Sequence, residues 1–221
     1  MNRLSRALVA ALLLSAPTPP VALATEATVA ELVFAPGFMA AVSEPTIFRY
    51  RFRLAGRGME VPYVSEARME LREIGDDGGK LVWFDMFEGA NRRAFGPMRI
   101  LDQNPMLFVF LQRDVTSMAN LTGGAAGYFQ QRIRASFTRP AEVETLEVAW
   151  RGRELAAERI VLYPFRDDPR IDRFPQFRDK SYEIVVASGL PGGIYRIATR
   201  VPDPSGGPPL LEESLTLEAV E

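Results

Sequence analysis

The chain has 221 residues, with 26 basic and 28 acidic side chains and neither histidine nor cysteine. Those absences exclude a Ser-His-Asp triad, a histidine base or metal ligand, a thiol nucleophile, a thiolate zinc site, an iron–sulfur cluster and any disulfide. The mild acidity argues against nucleic acid, whose binding domains are usually basic.

The first residues read as an export signal. Arg3 and Arg6 form a positive start, Leu8 to Leu14 an apolar centre, and Pro17, Pro19 and Pro20 a helix break before Ala22-Leu23-Ala24. Small residues at that spacing predict cleavage after Ala24. The apolar run is too short to span a bilayer, and no later run qualifies, so no transmembrane anchor is expected. The remaining chain has 24 basic and 28 acidic residues, a net charge of −4. An exported chain without disulfides fits a bacterial envelope, and the expected location is periplasmic or secreted. Lysine occurs only at Lys80 and Lys180 against 24 arginines, which reads as genome bias.

Residues 25 to 45 form a lead-in with a weak apolar pattern at Val29, Leu32, Val33 and Phe34. The cleanest strand follows, with Phe48, Tyr50, Phe52 and Leu54 alternating with Arg49, Arg51 and Arg53. A second strand runs over 63–74, then a Gly- and Asp-rich turn, then a third over 81–87. In that third strand Val82, Phe84 and Met86 fall on one face, and Leu81, Trp83, Asp85 and Phe87 on the other. A strand apolar on both faces is covered on both sides. One cover is the core; the other is a helix, a second sheet or a bound apolar ligand.

Residues 89–103 read as a loop rich in arginine. Asn104-Pro105 is a helix start, with Gly123-Gly124 as its stop, although Met106 to Phe110 alone also fits a buried strand. A second helix, about 125–137, carries Phe129, Ile133 and Phe137 at i, i+4 and i+8, with Arg132 and Arg134 among its polar residues. Its arginines suit a wet face, and could also meet anionic lipid head groups. Strands are expected over 142–150, 153–163, 181–187 and 194–201, and over 210–220 as a final edge. The order predicts an α+β fold: a mainly antiparallel sheet of about eight strands, two helices inserted between the third and fourth, with a curved half-barrel as one form open to that sheet. Residues 25–221 form one β-rich domain, with lobes 25–140 and 141–221 as its natural division.

Few side chains suggest chemistry. Lys180 adjoins Ser181, but strand neighbours point to opposite faces, and no Ser-x-x-Lys motif occurs. Asp85 lies in an apolar strand, so it is either ion-paired with Arg92, Arg93 or Arg99 or carries a raised pKa and serves a hydrolase. Asp167, Asp168 and Asp172 share a loop without calcium-loop spacing. The inventory leans against an enzyme, and no metal and no cofactor are expected. What remains is an envelope protein binding an apolar small molecule or lipid between sheet and helices, with Trp83, Phe84, Asp85, Phe87, Phe108, Phe110, Phe129 and Ile133 as candidate contacts. In outline this resembles the lipoprotein-carrier type of half-barrel; no motif of that family is matched, so no residue role carries over. The alternative is a structural or protein-interaction module with a dry core, its protein partner unknown.

Overall fold

The computed structural model describes residues 27–221; the expected export signal lies outside the described residues. Four strands come first: β1 (Thr46–Gly56), β2 (Tyr63–Ile74), β3 (Lys80–Met86) and β4 (Arg93–Ile100). Two helices follow, α2 (Met106–Thr122) and α3 (Ala126–Ser136), after a short α1 (Val29–Val33) in the lead-in. Five strands complete the chain: β5 (Glu142–Trp150), β6 (Arg153–Leu162), β7 (Ser181–Val186), β8 (Ile194–Val201) and β9 (Leu211–Val220). All pair antiparallel in one nine-stranded sheet, ordered β4-β3-β2-β1-β9-β8-β7-β6-β5.

The sheet is thus two meanders joined where β1 pairs β9. This corrects three expectations. The sheet has nine strands, because 93–100 is a strand rather than loop, and the helices therefore lie between the fourth and fifth. Gly96-Pro97 hides β4 from a propensity reading, and its position at an edge is where a strand tolerates proline. The C-terminal strand is no edge: β9 lies at the middle, and β4 and β5 are the edges. Arg49, Arg51 and Arg53 stand on an interior strand, since β1 is paired on both sides. They form ion pairs across the outer face with Glu66, Glu221, Glu218 and Glu212.

The helices pack on the inner face, which Phe48, Tyr50 and Phe52 build from β1 and Ala67, Met69 and Leu71 from β2. Met106 to Phe110 is helical, not strand. Asn104 holds the start of α2: its side-chain oxygen accepts from the Met106 amide at 3.0 Å, and its Nδ2 donates to the Gly192 carbonyl at 2.9 Å. Gly123 ends the helix in the left-handed region at φ 60°. The lead-in straps across this layer, with Val29 and Ala30 donating backbone hydrogen bonds to Arg139 and Phe137 at the end of α3. Among the described residues no helix is long and apolar enough to cross a membrane.

Candidate functional site

The sheet edge at β3–β4 is where the inner face is left incompletely covered. The register sets Arg93 opposite Met86, Phe95 opposite Phe84 and Met98 opposite Val82, with a slip at Trp83. Residues three apart on a regular strand point to opposite faces, so the extra residue of this bulge is what turns both Phe95 and Met98 inward. Gly96 makes it possible: at φ +132°, a Cβ there would come within 3.0 Å of the Trp83 backbone and indole. Phe87 departs from alternation in a second way. Its φ of 67° swings the ring off the outer face, and it packs 4.8 Å from the ring of Phe52 on the inner one.

Each helix turns an amphipathic face to this edge. Phe108, Leu111, Gln112 and Val115 recur at i, i+3, i+4 and i+7 on α2, and Gln130, Ile133, Arg134 and Phe137 repeat that spacing on α3. Phe34, just past α1, stacks on Phe108 at 5.3 Å and on Phe137 at 5.8 Å and closes one end. The result is a cleft of about 610 Å³ between the helix pair and the β3–β4 edge. Its size and apolar lining fit a small-molecule site. Phe95, Met98 and Phe108 remain 42%, 37% and 48% exposed, and such grouped apolar exposure usually marks a binding surface. The lining holds Arg93, Arg113 and Arg134 but no carboxylate.

The sequence-derived candidates divide among three places. Phe87, Phe108 and Ile133 line the cleft. Phe84, Phe110 and Phe129 are buried, Phe84 stacking on the cleft-lining Phe95 at 4.8 Å. Trp83 and Asp85 lie on the opposite face of β3, in a shallow polar depression with Arg68, Arg72 and Arg92. That face carries no second apolar layer: Leu81, Trp83 and Asp85 are only half-buried, and Arg72 lies over the Trp83 ring at 4.8 Å. The open space lies instead on the Val82, Phe84 and Met86 side. The sequence pattern suggested neither Arg93, Phe95 and Met98, because β4 read as loop, nor Phe34; the 108/111/112/115 spacing was the one available signal.

Asp85 is an ion-paired carboxylate. Arg92 binds it through two hydrogen bonds of 2.7 and 2.9 Å, and Arg68 through one of 2.6 Å. The hydrogen bond from Arg92, then that from Arg68, outweigh partial burial and hold its pKa down to about 2, which leaves no proton to donate at neutral pH. Since the folded value lies below the ordinary 3.8, this carboxylate stabilises the fold above about pH 4, and the contribution is lost as pH falls towards 2. Asp85→Asn is expected to cost about 1–2 kcal/mol in urea denaturation at pH 7. It should also flatten the loss of stability between pH 4 and 2; an unchanged acid limb would contradict the pairing.

A buried polar cluster lies beneath α2. Asp114, on the helix stripe of Phe110 and Met118, pairs with Lys180 and accepts a hydrogen bond from the Tyr182 hydroxyl at 2.6 Å. The neighbouring Arg113 pairs with Glu213 on β9 and lies over the rings of Phe52 and Phe87, at 4.6 and 5.4 Å. Burial, with the Asp114 charge adding to it, raises the Glu213 pKa in spite of Arg113. Both lysines of the chain are buried and, among the described residues, no arginine is, so their scarcity has a structural counterpart: a compact ammonium suits a small enclosed site. In the loop after β6, Asp168 pairs with Arg132 and Arg170, Asp172 with Arg178 and Asp167 with Arg139, so its acids are spent on arginines.

No family model and no curated protein matches this chain. Among solved structures it is similar to a LolA superfamily protein from Nitrosomonas europaea, at 9% identity over 88% of this chain and 93% of that one, with a TM-score of 0.28. A DUF1329 family protein from Desulfovibrio piger matches at 7% identity over 82% and 87%, TM-score 0.26. A putative outer membrane lipoprotein-sorting protein domain from Vibrio parahaemolyticus matches at 10% identity over 80% and 85%, TM-score 0.20. At TM-scores this low, the reading of the cleft rests on this chain's own residues.

Proposed function

We propose that this is an exported, soluble, non-enzymatic protein of the bacterial envelope that binds an apolar ligand or lipid in the cleft between the helix pair and the β3–β4 edge. The observation that carries the proposal is the cleft itself, of about 610 Å³, walled by apolar side chains from two helices, two strands and Phe34. Two backbone irregularities aim aromatic rings into it: the bulge at Gly96-Pro97 and the left-handed Phe87. A protein using this edge only for a dry core would fill the space with its own side chains, as packing to crystal-like density favours. The export pattern from Arg3 to Ala24 motivates the location.

Leu111 is half-buried on the α2 wall, so a larger side chain there projects into the cleft without displacing the core. Leu111→Trp is expected to weaken binding of a neutral apolar fluorophore, 1-N-phenylnaphthylamine, by about tenfold or more, since filling the space removes apolar area the probe would bury. The melting temperature should change by only a few degrees. Organic extraction of the protein recovered from its host should yield an amphiphile in near one-to-one amount. A clean extract together with no probe response would favour the protein-interaction module instead.

A further inference from the structure

We infer that the ligand bound in this cleft carries an anionic head group, and that Arg93 and Arg134 receive it. The inference rests on the ligand-binding reading above and adds to it the chemical class of the ligand: a long-chain amphiphile ending in a carboxylate or phosphate.

The distribution of countercharges carries the argument. On α3 and just beyond its end the flanking arginines are neutralised, Arg132 by Asp168 and Arg139 by Asp167. At the β3–β4 edge Arg92 is neutralised by Asp85 and Arg99 by Asp77. Arg113 lines the cleft but is held by Glu213. The two remaining cleft arginines have no carboxylate partner among the described residues. Arg93 faces inward opposite Met86, and its guanidinium donates only to the backbone carbonyls of Arg92 at 2.7 Å and Ala90 at 3.5 Å. Arg134 shares the α3 face of Ile133 and Phe137. On both walls, then, arginines pointing away from the cleft meet acids, and the pair at its rim does not. A guanidinium offers a planar fork of donors that matches a carboxylate or phosphate, and Gln112 and Gln130 place further donors in the same lining. The apolar walls suit a chain and the rim suits its charge, which together exclude a purely hydrocarbon ligand as the best fit.

The test compares hexadecyl ligands that differ only in the head: palmitate, hexadecyl phosphate, hexadecanol and hexadecyltrimethylammonium, each titrated by displacement of 1-N-phenylnaphthylamine. The expected result is that palmitate and hexadecyl phosphate bind at least about tenfold more tightly than hexadecanol, as charge-assisted hydrogen bonds should provide. The ammonium compound should bind weakest. Whichever anion is tighter names the head group, and both orders support the inference. In the doubly substituted R93Q/R134Q protein the anionic preference should vanish, palmitate and hexadecyl phosphate then binding no more tightly than hexadecanol does to the same variant. Equal affinity for palmitate and hexadecanol in the unsubstituted protein would overturn the head-group inference and leave the cleft reading standing. A preference that persists in R93Q/R134Q would overturn the assignment to these arginines. If no hexadecyl ligand displaces the probe or binds, both readings fail.

Discussion

Lys180→Met is expected to destabilise the protein by about 3–5 kcal/mol, the usual consequence of removing one member of a buried ion pair. Lys180 is fully buried and Asp114 nearly so. Without the ammonium, Asp114 retains only the hydroxyl of Tyr182, whose own pKa is driven well above the ordinary tyrosine value by burial and by the Asp114 charge. The phenol therefore stays protonated as a donor but brings no countercharge. Glu213 worsens the balance, because Lys180 is one of the charges that lower its pKa. A carboxylate whose folded-state pKa is raised favours the fold when protonated, so its contribution is lost as pH rises through the ordinary 4.5 towards the folded value. The variant should accordingly be less destabilised at pH 5 than at pH 8, the reverse of the Asp85 dependence. Urea denaturation at the two pH values measures this. Asp114→Leu combined with Lys180→Met should recover most of the loss, because an apolar pair of similar size removes both desolvation costs. A loss below about 1 kcal/mol for Lys180→Met would mean that the pair is not enclosed as described.

Phe129→Ala should cost a similar amount, about 3–5 kcal/mol, as large-to-small substitution of a buried aromatic does. Phe129 is fully buried and is the centre of an aromatic cluster, with Tyr128 at 5.2 Å, Phe174 at 5.3 Å and Phe165 and Phe177 at 5.9 Å. Apart from Tyr128 on α3 itself, those partners come from the loop after β6 and its two short helical turns, Pro169–Arg173 and Pro175–Phe177, so the ring ties that loop to α3. It faces the loop and not the cleft, although its neighbour on the stripe, Ile133, lines the cleft. The expected outcome is a large fall in melting temperature with affinity for the apolar probe unchanged at temperatures where the variant is folded. A stable variant that has lost probe binding would instead make Phe129 a ligand contact.

The candidate contacts show which kind of information sequence periodicity holds. Phe108 and Ile133 line the cleft and sit on helix faces that the i, i+3, i+4 spacing displays openly. Trp83 and Asp85 were grouped with Phe87 by strict strand alternation, but one left-handed residue separates them onto opposite sides of the sheet. For Asp85 the sequence already offered Arg92 as a partner seven residues on, whereas Arg68 is brought alongside only by the pairing of β2 with β3. β4 was invisible because its side chains are nearly all exposed and its middle holds Gly96-Pro97, features of an edge that lack the apolar alternation of an inner strand.

By itself the sequence determined what is local or absent. It excluded thiol and imidazole chemistry, displayed the alternation that makes β1 and β2 two-faced strands, and marked the longer helix by its start, stop and spacing and the second by spacing. Tertiary structure alone decided the order of strands, the central place of β9, the partners of Asp114 and Lys180, and the cleft that pairs two helix faces with a bulged edge. The physical reason is range. A period of two or of 3.6 residues is set by the backbone within a few neighbours, whereas which strand lies beside which, and which charges meet, depends on closing loops of tens of residues against their entropy. Local patterns carry no record of that closure.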